Sequence, residues 1–98
     1  PSQSCLVTRF PYGEKITKSK LEKIEKAEDY LHSLGFKQKR ARYHYPGVRI
    51  ETGKEEIPRL ISSDYRDKII RELKKIGFLY ISFDLEGYKP ESFNGPTR

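Results

Sequence analysis

The residues with the most legible chemistry lie on two short alternating stretches. Arg40, Arg42 and His44 alternate with Ala41 and Tyr43, and beyond Pro46-Gly47, Arg49 and Glu51 alternate with Val48 and Ile50. Side chains alternate across a β-strand, so this spacing sets Arg40, Arg42, His44, Arg49 and Glu51 on one face of a hairpin and the apolar set on the other. Guanidinium groups on one rigid surface match phosphate or carboxylate geometry, because each offers bidentate hydrogen bonds. Cross-strand Arg–Glu pairing on a wet sheet accounts for the same residue types. Glu51 neutralises only one arginine, however, which favours an anion site. His44 reads as a phosphate contact, a general acid or base, or a solvent-exposed strand residue.

Cys5 is the single cysteine of the chain. A lone cysteine is ordinarily a small buried hydrophobe. Positive surroundings instead lower a thiol's pKa and raise its thiolate fraction, and Arg9 follows four residues later. Both readings stand on the residues alone. Glu28 and Asp29 read as solvated helix acids, pairing with nearby lysines, and His32 as a surface residue. Phe10-Pro11-Tyr12-Gly13 places aromatics around a turn, either closing a sheet edge or lining a pocket.

The elements that must position these groups follow from periodicity. Leu21, Ile24, Ala27, Leu31 and Leu34 recur at helical spacing, with Thr17 or Ser19 as the cap and Gly35 as the stop. Tyr65, Ile69, Ile70, Leu73 and Ile76 repeat the pattern, capped by Ser62 or Ser63 and stopped by Gly77. Residues 38–45 and 48–51 flank Pro46-Gly47, a type II turn dipeptide, and read as a hairpin. Residues 78–85 are aromatic and β-branched and read as a central strand. Leu6 to Phe10 reads as a short first strand. Leu31-x-x-Leu34-Gly35-Phe36 matches Leu73-x-x-Ile76-Gly77-Phe78, so each helix ends at Gly and feeds a strand at Phe. The predicted fold is α+β, a ferredoxin-like split βαβ unit with a four-stranded antiparallel sheet and two helices on one face. Residues 1–85 are read as one domain and 86–98 as a loosely held polar tail.

The length allows one domain, and apolar and charged residues each make up 35% of the 98 residues. That leaves a small core and no space for a cofactor domain beside it. One cysteine excludes a disulfide framework and any Cys-only zinc site. No apolar run approaches the roughly 18 residues of a membrane span, and no secretory leader is visible, so a reducing cytoplasm is the default setting. Residues 1–50 carry 11 Lys/Arg against 5 Asp/Glu, and residues 51–98 carry 9 against 9, so the whole net charge of +6 sits in the first half. A local basic block of this kind implies an anionic partner; a solvated surface of a thermophile-like protein is the plain alternative.

Cys5-Leu6-Val7-Thr8-Arg9-Phe10-Pro11-Tyr12-Gly13 closely resembles the signature of LarE-type sacrificial sulfur transferases, ATP-using enzymes of the PP-loop superfamily. The resemblance continues through Glu25-x-Ala27-Glu28, Leu34-Gly35-Phe36, Arg40-x-Arg42-x-His44, Arg49-Ile50-Glu51 and Asp84-Leu85-Glu86-Gly87-Tyr88, and reaches residues 88–94. It covers nearly the whole chain but only the C-terminal part of such an enzyme. The Ser-Gly-Gly-x-Asp-Ser phosphate loop is not present in the sequence, so ATP and Mg belong to a PP-loop ATPase domain, in cis in a longer parent or in trans. This chain alone cannot activate its substrate by that route.

The resemblance implies that Cys5 donates sulfur, with Arg9 activating the thiolate. It implies that Arg40, Arg42, His44 and Arg49 hold the phosphate of an anionic nucleotide, and that Glu28 and Glu51 are the candidate acids or bases. No metal ligand set and no cofactor of the chain's own is implied. Val7 replaces the family's usual Ala, and Tyr45-Pro46-Gly47 alters a hairpin that usually carries an acid. The alternative is an RNA-binding module using a basic open sheet face, although no RNP motif is visible and only Tyr80 offers a central stacking ring. A third reading is a structural role supplying contacts in a homo-oligomer.

Overall fold

The structure, a computed structural model, describes residues 6–88. Helix α1 (Lys18–Ser33) starts where the Thr17 hydroxyl accepts the Lys20 N–H at 3.2 Å. It buries Ile24, Ala27 and Leu31, the stripe read from the sequence, with Leu21 and Leu34 packed beside them. Helix α3 (Ser63–Ile76) buries Ile69 and Leu73, with Tyr65 and Ile76 alongside. Gly35 at φ +92° and Gly77 at φ +131° follow the two helices in the left-handed region that side chains resist. The connection between 52 and 61 holds a 3₁₀ turn (Lys54–Glu56) and the one-turn helix α2 (Ile57–Leu60).

Strands β1 (Lys39–His44) and β2 (Gly47–Thr52) form the expected antiparallel hairpin, with Arg40 opposite Glu51, Arg42 opposite Arg49 and Ala41 opposite Ile50. The turn residues are Tyr45-Pro46, joined by a cis bond, so the expected type II turn is not the one formed. Ala41, Tyr43, Val48 and Ile50 face the helices and complete the core with Phe36, Leu60 and Phe78.

The rest of the sheet departs from the expectation. Among the described residues it has three strands in the order β1-β2-β3, and β3 is only Ile81–Phe83 and runs parallel to β2. The chain leaves β2, crosses over α2 and α3, and re-enters the sheet in the same direction, as a crossover connection requires. The fold is α+β but not the four-stranded antiparallel ferredoxin-like sheet. The first strand expected at 6–10 is instead a 3₁₀ turn, Val7–Arg9. Its Leu6 is fully buried in the core. The outer edge of β1 is closed by side chains: the outward N–H of Ala41 donates to the Glu28 carboxylate at 3.0 Å, and Glu28 accepts Arg9 Nε at 2.6 Å.

Candidate functional site

Hairpin register alone decides which residues share the second face of the sheet. Across it lie Arg40, Arg42 and His44 of β1, Arg49 and Glu51 of β2, and Ser82 of β3. The face is not open, which corrects the expectation. Arg40 is 3% and Arg42 7% exposed, and Glu51 is fully buried. Two segments cover them. The N-terminal 3₁₀ segment lies against Arg42, whose Nη1 donates to the Thr8 carbonyl at 2.9 Å. After β3 the chain turns back, and the Tyr88 N–H donates to the Thr52 carbonyl at 2.6 Å. Tyr88 then stacks on the Arg40 guanidinium at 4.2 Å and its hydroxyl accepts from Arg40 Nη2. Gly87 makes that close return feasible, since a Cβ there would sit 2.9 Å from the Thr52 carbonyl oxygen.

Buried charge persists only when paired, and Glu51 is the hub of the pairing. Its Oε2 accepts Arg42 Nε at 2.9 Å and lies 3.6 Å from Arg49 Nη2. Arg42 Nη2 and Arg49 Nε are buried and have no hydrogen-bond partner among the described residues. A buried donor left unmade costs about 1–3 kcal/mol, so a rigid pair of such donors is a place where an anion gains more than it would in water. Fixed cations of this kind can stabilise an oxyanion or a phosphate.

The remaining candidates are distributed around this row. Glu28, read as a solvated helix acid, is buried instead, and with Arg9 it forms a clamp at the β1 edge, their side chains 8% and 11% exposed. His44 lies at the turn end of the face, exposed, its ring edge-on to Tyr80 at 6.3 Å rather than on the arginines. Cys5 lies outside the described residues, as does the stretch after Tyr88. Thr8 and Tyr88 join the row without standing among the candidates the sequence offers. Both stand inside the two segments that carry the resemblance, the one signal that marks them. On the helix face, burial pushes the Tyr43 hydroxyl up, against a smaller opposing pull from Lys20. Among the described residues no group of three or more His, Cys, Asp or Glu is placed to hold a metal ion, and no helix is long and apolar enough to cross a membrane.

No family model matches the chain. An uncharacterized protein of Synechocystis sp. is 40% identical over 94 residues, 96% of this chain and 35% of the relative. The pyridinium-3,5-bisthiocarboxylic acid mononucleotide synthase of Lactiplantibacillus plantarum is 37% identical over 92 residues, 93% of this chain and 33% of the relative. An uncharacterized protein of Methanocaldococcus jannaschii is 28% identical over 89 residues, 91% of this chain and 34% of the relative. The chain thus spans about a third of the length of the curated relatives it matches.

Proposed function

We propose that the chain is the sulfur-donor and substrate-phosphate-binding part, the C-terminal portion, of a LarE-type ATP-dependent sulfur transferase. Its substrate is an adenylated pyridinium carboxylate mononucleotide, and its product a precursor of a nickel-pincer cofactor. One observation carries the reading: Arg42 Nη2 and Arg49 Nε are buried without partners, in a row bound through Thr8 to the segment that continues to Cys5. Three residues of extended chain span at most about 11 Å, which keeps a residue three places before Thr8 within reach of a ligand at this row. The name of the Lactiplantibacillus relative, a synthase of a pyridinium bisthiocarboxylic acid mononucleotide, supports the product class. ATP and Mg are used by the part of a longer protein, or a partner in trans, that carries the PP-loop.

In this reading the nucleotide phosphate sits on Arg42 and Arg49, with Arg40 held ready by Tyr88. The Cys5 thiolate attacks the acyl-adenylate carbonyl, forming a thioester and releasing AMP. A base removes the Cys5 α-proton, and the Cβ–S bond breaks with its electron pair going to sulfur. The acyl group leaves as a thiocarboxylate and Cys5 becomes dehydroalanine. Glu28 and Glu51 serve as positioning residues, since guanidinium groups already engage both carboxylates.

The test is turnover with a cognate PP-loop domain, ATP, magnesium and the carboxylated nucleotide, followed by mass spectrometry. Cys5 is expected to lose hydrogen sulfide, and a Cys5→Ala chain to fold normally and transfer no sulfur. Sulfur transfer with Cys5 intact would overturn the donor role. Separately, inorganic phosphate and AMP are expected to shift the amide resonances of residues 40–42 and 49–51, less so at high salt. Shifts confined to the helices would remove the anion row from the mechanism. No observation favours the RNA-binding alternative.

A further inference from the structure

We propose that Tyr80 and His44 form a ring subsite beside the arginine row, where the π-face of Tyr80 receives the cationic pyridinium ring of the mononucleotide whose phosphate sits on Arg42 and Arg49. This deepens the proposed function and rests on it, because the phosphate seat is the one argued there.

Hairpin register sets the order along the face. Arg42 stands opposite Arg49, and the next pair toward the turn on the same face is His44 opposite Gly47. Tyr80, the residue before β3, joins that pair: its carbonyl accepts the Val48 N–H at 3.1 Å, and its ring fills the place a side chain at Gly47 would take. Gly47 and Arg49 are two residues apart on β2, roughly 7 Å. A ribose covers a gap of that size between its 5′-phosphate and the ring on its first carbon.

The tyrosine has a prepared seat. A Cβ at Gly47 would lie 2.5 Å from both Cδ1 and Cε1 of Tyr80, so the ring rests against the sheet only because residue 47 is a glycine. The Tyr80 hydroxyl points to the His44 carbonyl at 3.3 Å, and the His44 ring stands at 76° to the tyrosine plane. The ring is thus held at its side and at its tip, yet Tyr80 is 40% exposed and His44 is exposed beside it. A held, accessible aromatic next to a basic row is what a flat ring stacks on. His44, upright beside that ring, is placed to offer an imidazole N–H to a carboxylate on the bound pyridinium.

The two ends of the row differ, and the difference orients the ligand. At the far end the Tyr88 ring already carries the Arg40 guanidinium at 4.2 Å. Tyr43, Phe36 and Tyr65 likewise have a lysine or arginine over them. Among the described residues no such cation stands over Tyr80. A tyrosine face attracts a cation through its quadrupole, and a pyridinium ring is flat and positively charged at once. With its phosphate on Arg42 and Arg49, the nucleotide therefore points its ring toward the turn. One open ring beside one phosphate seat fits a single nucleotide rather than a strand.

Titration of the 98-residue chain, followed by NMR, tests the proposal with three probes: ribose 5-phosphate, nicotinic acid mononucleotide and the 1,4-dihydro form of that mononucleotide. The dihydro form keeps the phosphate, ribose and carboxylate and loses the charge of the ring. Nicotinic acid mononucleotide is expected to bind about fivefold tighter than ribose 5-phosphate. It should shift the amides of His44 and Tyr80 as well as those of the arginine row, and its ring protons should move upfield over the tyrosine. The dihydro form is expected to lose most of the gain. Tyr80→Leu should abolish the gain and the upfield movement, and Tyr80→Phe should keep both. The probe comparison and the upfield movement are read on the unaltered chain, so they decide the matter even where a variant folds poorly. Binding of ribose 5-phosphate with no gain from the pyridinium ring overturns the ring subsite and leaves the phosphate seat standing. Equal affinity of the charged and dihydro rings, or a gain that survives Tyr80→Leu, overturns it too. No binding by any of the three probes overturns both the subsite and the phosphate seat.

Discussion

The two edges of this sheet are finished by opposite means. At β1 a buried carboxylate, Glu28, takes the outward N–H of Ala41 and is itself clamped by Arg9 at 2.6 Å. Phe10 then packs on Tyr43 at 5.1 Å between ring centres, so side chains stand in for a neighbouring strand. At β3 the outward groups of Ile81 and Phe83 are flanked by two exposed leucines and an apolar hollow. A polar closure satisfies an edge within the chain and costs a buried charge pair. An apolar surround leaves the backbone groups without a neighbouring strand among the described residues.

The comparison breaks most sharply at Glu28. Glu28→Ala removes the acceptor of a buried N–H and the carboxylate paired with Arg9, and is expected to lower unfolding free energy by about 3–5 kcal/mol in a urea titration. Glu28→Gln keeps an acceptor for Ala41 but not the charge, and is expected to cost about 1–3 kcal/mol. If the two substitutions cost the same, the charge of the clamp contributes nothing. Hydrogen exchange sharpens the contrast further. The Ala41 amide is expected to be protected, whereas the Ile81 and Phe83 amides exchange quickly. Equal protection at both edges would erase the distinction. The smallest effect is at Leu85: in dilute solution Leu85→Asp is expected to change stability by no more than about 0.5 kcal/mol, because an exposed side chain with no buried contact has little to lose.

How much of this was legible in the sequence depended on the range of the interaction. The helices were, because the stripes at 21–34 and 65–76 and the glycines after them are local signals. So was the hairpin, whose alternation fixed Arg40, Arg42, Arg49 and Glu51 on one face. Alternation says which face a side chain takes but not what lies over it. The covers come from Thr8 and Tyr88, 34 and 48 residues away from the arginines they touch. The segment at 6–10 was misread because Leu6 and Phe10 are apolar in a strand-like way. Nothing local shows that the segment will form a 3₁₀ turn instead. Length misled at 78–85, where Leu79 and Leu85 fit a strand by type but lie outside β3. Its direction followed from the crossover, which no residue pattern within the strand reveals. For the candidate site, spacing found the arginine row, and the resemblance alone singled out Cys5.

The buried arginines also act on folding, whatever they bind. Slipping β1 by one residue against β2 would exchange the two faces of the strand. Arg40 and Arg42 would then point under α1 and α3, into the space now filled by Ala41 and Tyr43, with Glu51 left behind on the other side. Each misplaced guanidinium would be an unpaired charge in the core, at a cost of several kcal/mol. An all-apolar hairpin would tolerate such a slip far better. The charged row is thus a proofreading device: it raises the energy of the nearest wrong alignment, so the arginines that hold one another in place also fix the spacing at which they stand.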